Sequence, residues 1–199
     1  MKPLVAGSVG VVRLIILVLL LGAVVGCSGS TQVLTDDLSA PLNGATTAKV
    51  DINCGPGHLT IDQLTGDDQA LARGTLQYFG KQGLPTRTLD ASNGQATLTL
   101  RGSSTAESGF RWPWEACAGG AFEWQVHLNP TVSYDITAHS DGGNVKLDFA
   151  GMAVTRLSAD NGGGNMDVVL PDNAANLNVT AKTGGGNVTV EIGSGMAGS

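Results

Sequence analysis

The stretch LSADNGGGNMDVVL (residues 157–170) occurs twice more in related form, as ITAHSDGGNVKLDF (136–149) and VTAKTGGGNVTVEI (179–192). In each copy apolar residues alternate with polar ones, a glycine-rich turn follows, and a second alternating run completes the unit. Alternation with period two is typical of strands that bury one face, and a period near 20 residues is typical of stacked coils. We therefore expect an all-β fold, a β-solenoid of stacked coils with about 21–22 residues per repeat in its C-terminal part.

An asparagine ends the turn of every copy, and the three residues, Asn144, Asn165 and Asn187, lie 21 and 22 residues apart. If the copies stack, these side chains form a ladder at one corner and bond along the stacking axis or to the turn backbone. The glycines before them permit positive φ. We interpret the three asparagines as structural turn residues. Strands follow the glycines, whereas a phosphate loop would need a helix there, so ligand binding by these turns is not expected.

Alternating apolar and polar residues also continue upstream of the repeats, from about residue 46. Asn93-Gly94 marks a turn between two such runs, and Phe122–Leu128 predicts a strand with one buried face. Only Asp67–Arg73 has a composition suited to a short helix or helical turn. We assign residues 46–192 to one β-solenoid domain.

The N-terminus has the features of a bacterial lipoprotein signal. A basic start precedes the apolar run Leu14–Val25, and Val24-Val25-Gly26-Cys27 is similar to a lipobox, at which a precursor is lipidated and cleaved. An uncleaved transmembrane anchor would need about 20 apolar residues, and a secretory signal with an accidental cysteine is the other alternative. We predict a signal peptide over residues 1–26 and lipidation of Cys27 by chains such as palmitate. The protein is then exported and lipid-anchored to a bacterial membrane, facing the extracytoplasmic side.

The segments on either side of the domain are predicted to be flexible. Residues 27–45 comprise the lipidated cysteine and a polar tether, and residues 193–199 form a tail of small residues. The last strand, Val188–Ile192, then has no further coil to stack on, and open strand edges pair readily with another chain. We expect self-association or partner docking at this edge.

The net charge of the chain limits the kinds of partner that it is expected to bind. The chain carries 17 acidic and 11 basic residues, a formal net charge of −6. An acidic chain lacks the basic patch that binds phosphates, so nucleic acid is not an expected partner. It also lacks a polybasic segment for anionic lipids, so a membrane contact must depend on the lipid anchor. No cofactor is predicted.

The chain has three cysteines, an odd number for an exported protein. If lipid modifies Cys27, then Cys54 and Cys117 remain as a candidate disulfide, which the oxidising compartment outside the cytoplasm would favour. Two free buried thiols are the alternative.

Several segments, in a fixed order, resemble a known family. WQVHLNP (124–130), YDI (134–136), GGNVKLD (142–148) and GGGNMDVVLP (162–171) are similar to the toast-rack N-terminal domain, over roughly residues 46–192. That domain is related to adhesin-like β-solenoid regions of LiaF-type bacterial envelope proteins. The resemblance implies a repetitive β fold in the cell envelope, with no catalytic or metal-binding residues to carry over.

One segment stands out as a candidate binding site: Phe110, Arg111, Trp112 and Trp114 lie together in a long loop. Aromatic side chains beside an arginine can stack on sugar rings or lie at a membrane interface. The alternative is that these side chains cover one end of the solenoid, because solenoid ends need a cap.

Catalytic and metal sites are not expected. Glu115 and Glu123 lie near tryptophans, as the carboxylates of a glycosidase can, but a solenoid surface offers no evident cleft to fix their separation. His127 and His139 fall on outward positions without a third metal ligand.

We predict a non-catalytic cell-envelope lipoprotein that acts as a surface binding, display or scaffold module for an envelope protein or glycan. An accessory regulator of envelope stress signalling and a carbohydrate-active enzyme are the alternatives.

Overall fold

The computed structural model describes residues 32–66, 69–80, 83–102, 122–172 and 177–192. The described residues form thirteen β-strands and no helix, which confirms the all-β prediction. The strands are β1 (Val33–Pro41), β2 (Thr47–Asn53), β3 (Gly57–Gln63), β4 (Ala70–Phe79), β5 (Thr86–Ser92), β6 (Gln95–Arg101), β7 (Phe122–Leu128), β8 (Ser133–Ser140), β9 (Val145–Asp148), β10 (Ala153–Asn161), β11 (Met166–Val169), β12 (Asn178–Thr183) and β13 (Val188–Glu191).

The strands form two sheets. The seven-stranded sheet has the order β1-β4-β7-β3-β9-β11-β13, and the six-stranded sheet has the order β12-β10-β8-β2-β6-β5. From β8 to β13 the chain alternates between the sheets, with even-numbered strands in the six-stranded one. Each strand there pairs in parallel with its counterpart one repeat away. The three repeats are therefore stacked in register.

Two further strand pairs extend the stack. We call a pair of consecutive strands, the first in the six-stranded sheet and the second in the seven-stranded sheet, a level. The levels, in spatial order, are β6/β7, β2/β3, β8/β9, β10/β11 and β12/β13, and every contact between neighbouring levels is parallel. The level that comes first in the chain, β2/β3, thus lies between two levels that come later. Strand alternation alone does not reveal this order, because it fixes faces rather than neighbours.

The apolar residues of both sheets form one core. Trp124, Tyr134 and Phe149 are among its largest fully buried side chains. The polar atoms of two of them find partners: the Trp124 Nε1–H donates to the Gln77 carbonyl at 2.9 Å, and the Tyr134 hydroxyl donates to the Asn129 carbonyl at 2.9 Å. Burial raises the pKa of Tyr134 well above its ordinary value, so this hydroxyl stays a donor.

The β6/β7 end of the stack is covered by antiparallel strands. β4 and β1 extend the seven-stranded sheet beyond β7, and β5 pairs with β6 in the other sheet. Arg87 on β5 bridges the two edge strands, because its guanidinium lies 3.2 Å from the Asp36 carboxylate and donates to the Asp37 carbonyl at 2.7 Å on β1. Charged groups at exposed strand edges discourage pairing with other chains.

Two predictions made from the sequence are wrong. Most of the predicted tether, residues 27–45, is not a tether: Val33–Pro41 forms β1, paired antiparallel with β4, with Leu38 and Ala40 buried. The predicted helical turn at Asp67–Arg73 is also wrong, because Ala70 begins β4 and Ala70, Leu71 and Ala72 are buried against the core. In both segments pairing with a neighbouring strand outweighs the weak local pattern.

The position of β1 gives a test. Leu38→Ala removes a core side chain that is 3% exposed, so the free energy of unfolding should fall by about 2–5 kcal/mol. Thr35→Ala, at an exposed position of the same strand, should change it by less than about 0.5 kcal/mol. Urea unfolding of both variants measures the difference. Equal and negligible effects would show that this segment does not pack on the domain.

Candidate functional site

The repeats turn from one sheet to the other at a corner that carries a polar side chain inside it. Ser140, Asn161 and Thr183 occupy equivalent positions, at the ends of β8, β10 and β12. Ser140 and Asn161 are buried, and each side chain donates to carbonyls of its own corner and of the preceding one. The Thr183 hydroxyl likewise donates to the carbonyls of Gly164 and Gly185, at 3.0 Å each. This column was not predicted from the sequence, although its residues have the same spacing as the asparagine ladder.

Cys54 belongs to this column. The register of β2 on β8 places it next to Ser140, and its Sγ contacts the Gly55 carbonyl at 3.5 Å. The structure has Cys54 as a free, buried thiol, so the predicted Cys54–Cys117 disulfide is not formed in it. Its side chain points into the corner, and burial raises its pKa to about 11, so it remains protonated. A structural packing role fits this environment better than reactivity does.

The asparagines form hydrogen bonds from one level to the next. The backbone N–H of Asn165 donates to Oδ1 of Asn144 at 3.1 Å, and that of Asn187 donates to Oδ1 of Asn165 at 3.1 Å. In the preceding level, His58 takes the same place, because its Nδ1 accepts from the Asn144 N–H at 2.9 Å. His58 is therefore a corner residue in this structure, with the tautomer that leaves Nδ1 unprotonated.

The corners leave no room for a side chain at particular glycines of the turns. At Gly164, where φ is +88°, an added Cβ would lie 2.2 Å from the Gly143 carbonyl oxygen. Gly143 faces the Gly57 carbonyl in the same way. Gly163, one residue earlier, has nothing within 4 Å of such an atom. Gly162 is blocked as well, because an added Cβ would lie 2.2 Å from the Asp141 carbonyl oxygen. The tight approach of consecutive corners thus depends on the first and last glycines of this turn and not on the middle one.

The outer side of the six-stranded sheet is a regular polar surface, and we call it the polar face. The strand register aligns its side chains in rows across the stack. The first row is Asp90–Thr97–Lys49–Asp135–Arg156–Asn178, the second is Thr88–Thr99–Asp51–Thr137–Ser158–Thr180, and the third is Thr86–Arg101–Asn53–His139–Asp160–Lys182. Charges of opposite sign are neighbours in the first row, and hydroxyls dominate the second.

A shallow concavity of about 390 Å³ lies on the polar face near the start of its strands. Lys49 and Asp135 contribute one charge of each sign, and Gln95, Ser133 and Thr155 contribute amide and hydroxyl groups. Such a lining offers hydrogen-bond donors and acceptors to a polar ligand.

His127 and His139 each pair with an aspartate. Nδ1 of His127 contacts the Asp62 carboxylate, and Nε2 of His139 lies 3.0 Å from the Asp141 carboxylate. Within the described ranges, no group of three or more His, Cys, Asp or Glu side chains could hold a metal ion. Glu123 lies on β7 and accepts from the Gln125 side chain at 2.7 Å. These pairs are local contacts on sheet surfaces, and none includes an activated nucleophile.

Comparison with known proteins identifies the family. The family model described as the N-terminal domain of toast_rack, DUF2154, matches residues 28–191.

The chain belongs to this family.

The match confirms the resemblance seen in the sequence, and it includes β1 as well as the repeats. No curated protein matches the sequence significantly.

Two solved structures are similar to this chain. A proposed cell adhesion protein from Clostridium sporogenes is 15% identical, with a TM-score of 0.58, and the match covers 81% of this chain and 96% of that one. A proposed adhesin from Parabacteroides distasonis is 12% identical, with a TM-score of 0.36, covering 82% of this chain and 66% of that one. The first similarity supports the fold.

Several predicted sites lie outside the described residues: the signal peptide 1–26, Cys27, the candidate binding residues Phe110, Arg111, Trp112 and Trp114, and Cys117 and Glu115. The part of the toast-rack chain that is described contains no helix long and apolar enough to cross a membrane.

The corner geometry of the toast-rack repeats predicts a difference between adjacent glycines. Gly164→Ala forces a Cβ against a backbone oxygen and retains an unfavourable positive φ, so the free energy of unfolding should fall by at least about 1–3 kcal/mol. Gly163→Ala should change it by less than about 0.5 kcal/mol, because the added methyl group meets open space. Thermal unfolding of the two variants tests this. A similar loss at both positions would refute the steric requirement for glycine at position 164.

Proposed function

We propose that this protein is a non-catalytic lipoprotein of the bacterial cell envelope, in which the toast-rack domain acts as a surface binding or display module. The single observation that carries this proposal is the polar face, where charges of both signs and hydroxyl groups repeat in register over successive strands. We infer further that the five parallel levels form a β-solenoid.

The polar face differs from an ordinary polar surface because its polar groups are held at fixed spacing. Neighbouring strands lie about 4.8 Å apart, so each row presents a polar group at nearly constant intervals along the stack. The backbone that carries these groups is fixed by parallel pairing on both sides in β2, β8 and β10. An extended partner can then form several weak polar contacts at once, and simultaneous contacts increase its apparent affinity.

The chemistry of the polar face favours a polar polymer of the envelope, either a glycan or a polar protein segment. Alternating charges leave no strongly basic patch, which disfavours phosphate-rich partners. Hydroxyl and amide groups, such as Thr97, Gln95 and Ser133, can exchange hydrogen bonds with sugar hydroxyls or with peptide groups. Binding without reaction fits these groups, because they form no nucleophile–base pair.

The lipobox supports attachment to the membrane. Lipidation at Cys27 would leave only a few residues before β1, which starts at Val33. Each buried methylene of an acyl chain contributes about 0.8 kcal/mol, so two or more chains hold a protein on a membrane for long times. The fold shared with a proposed adhesion protein supports an envelope role for the module, without identifying its partner.

A photo-crosslinking experiment in the native bacterium tests the anchor and the binding surface together. A crosslinking amino acid at Thr97, on the polar face, should capture an envelope component, whereas one at exposed Asp167, on the outer side of the seven-stranded sheet, should capture much less. Lys49→Glu should reduce capture from Thr97, and Lys49→Arg, which keeps the charge, should not. Cys27→Ser should shift the protein from the membrane fraction and abolish capture.

Equal capture from both sheets, or capture that Lys49→Glu leaves unchanged, would contradict the polar face as the binding surface. Membrane retention and normal processing of the Cys27→Ser variant would contradict the lipid anchor. The surface is tested in the chain that keeps Cys27, and the anchor is tested by fractionation of the Cys27→Ser variant. The experiment therefore separates failure of the anchor from failure of the surface.

A further inference from the structure

Among the described strands, the level β12/β13 has a neighbouring level on one side only, and its inward apolar residues are exposed. Val188 and Val190 are 38% and 42% exposed, whereas Met166 and Val168, their partners on β11, are 0% and 1% exposed. No described strand pairs with the outer edge of β12 or β13. The surface exposed here is the same surface that joins each level to the next inside the stack, so it continues an interface already present in the molecule.

The two ends of the stack are not complementary to each other. At the opposite end, β1 and β5 close the sheets, and Arg87 joins them through Asp36 and Asp37. Pro41 on β1 lacks a backbone N–H and accompanies a register shift. Head-to-tail stacking would place this charged end against the apolar one. An arrangement that joins two copies of the apolar end avoids that mismatch.

The exposed edge of the β12/β13 level can pair with the same edge of a second copy rotated by 180°. In antiparallel pairing centred on Val190, Val190 faces itself, and Val188 faces Ile192 of the second copy. The outward residues also match, because Thr189 then faces Glu191. In β12, a centre at Thr180 places Val179 opposite Ala181 and Asn178 opposite Lys182. Neither arrangement sets like charges directly opposite each other, a condition that antiparallel pairing requires.

One rotation axis can serve both sheets at once. Thr180 lies three residues before Thr183, where the corner begins, and Val190 lies three residues after Asn187, where the corner ends. At about 3.3 Å per residue, both centres lie about 10 Å from the corner. An axis perpendicular to the two sheets therefore passes near both centres, so β12 and β13 can pair with their copies simultaneously.

We propose that two copies of this chain associate end to end through the β12/β13 level, by two-fold antiparallel pairing centred on Thr180 and Val190. The seven-stranded and six-stranded sheets then continue from one copy into the other. The apolar side chains of Val188, Val190 and Ile192, exposed in the isolated chain, are covered by their counterparts.

Charge substitution at the centre of β12 tests the pairing. Thr180 is exposed and points outward, and its neighbour within the chain is Ser158, so a charge there should leave folding unchanged. In the dimer it faces itself. Thr180→Lys and Thr180→Glu should each weaken association of the full chain in detergent at least about fivefold, because like charges become direct neighbours. An equimolar mixture of the two variants should associate at least as strongly as the unsubstituted chain.

Sedimentation and mixed-isotope mass spectrometry measure these effects, and thermal unfolding of each variant controls for folding. Recovery in the mixture supports the proposal, because a loss caused by misfolding cannot be restored by mixing two defective chains. A monomeric unsubstituted chain at tens of micromolar, whether its edge is covered by its own residues or left open, overturns the proposal. So does a mixture that behaves as the sum of its components.

Cysteine crosslinking of the purified protein in detergent tests the register. In a full chain with Cys27 and Cys117 replaced by serine and the buried Cys54 kept, Thr180→Cys should form a disulfide-linked dimer, because facing Cβ atoms lie about 4.5–5.5 Å apart. Lys182→Cys alone should not, because its copy lies about four residues, or 13 Å, away. Lys182→Cys mixed with Asn178→Cys should crosslink. Equal crosslinking of Thr180→Cys and Lys182→Cys alone would exclude the proposed register.

Discussion

Parallel hydrogen bonding between levels is the interaction on which the rest of this structure depends. The stretch from β8 to β13 contains no hairpin, so no strand there is paired by its immediate neighbour in the chain. The backbone groups of each strand find partners only in the level before and the level after, and an unpaired buried N–H or C=O group is costly. The core, the corners and the polar face all follow from that register, because register fixes which side chains share a face and a row.

The corners keep the register by excluding alternatives. A slip by one residue would bring a side chain to Gly164 or Gly143, where a Cβ would clash with the preceding backbone, and would separate Asn165 from the amide of Asn187. The polar column adds a second constraint, because Ser140 donates to carbonyls of two successive corners. Hydrogen bonds that join two levels are broken by slippage, whereas those within one level are not.

Much of the C-terminal half could be predicted from the sequence, because its repeats are local and nearly identical in spacing. Asn144, Asn165 and Asn187 mark the corners, and the alternation in each copy marks the buried faces. The level β2/β3 was harder, since His58 replaces the asparagine and Cys54 replaces Ser140. Its place between β6/β7 and β8/β9 is set by contacts between residues far apart in sequence, such as Val50 with Ile136 and Leu98.

The wrong prediction of a tether over residues 27–45 has a similar cause. β1 has a polar outer row, so the segment around Leu38 has little hydrophobic content, and only its edge pairing with β4 makes it a strand. The disulfide prediction relied on the number of cysteines. Cys54 is a free thiol in the polar column, and its predicted partner Cys117 lies outside the described residues. The polar face was also missed, because its rows combine residues from six strands and exist only once the spatial order is known.

Native-state hydrogen exchange at dilute concentration tests the central claim, that each level is held by its neighbours. The account predicts that amide protection falls toward the open end, from Ile136 in β8 through Leu157 in β10 to Val179 in β12, because each step outward removes support from one side. Opening free energies that are equal at the three positions, or highest in β12, would contradict it.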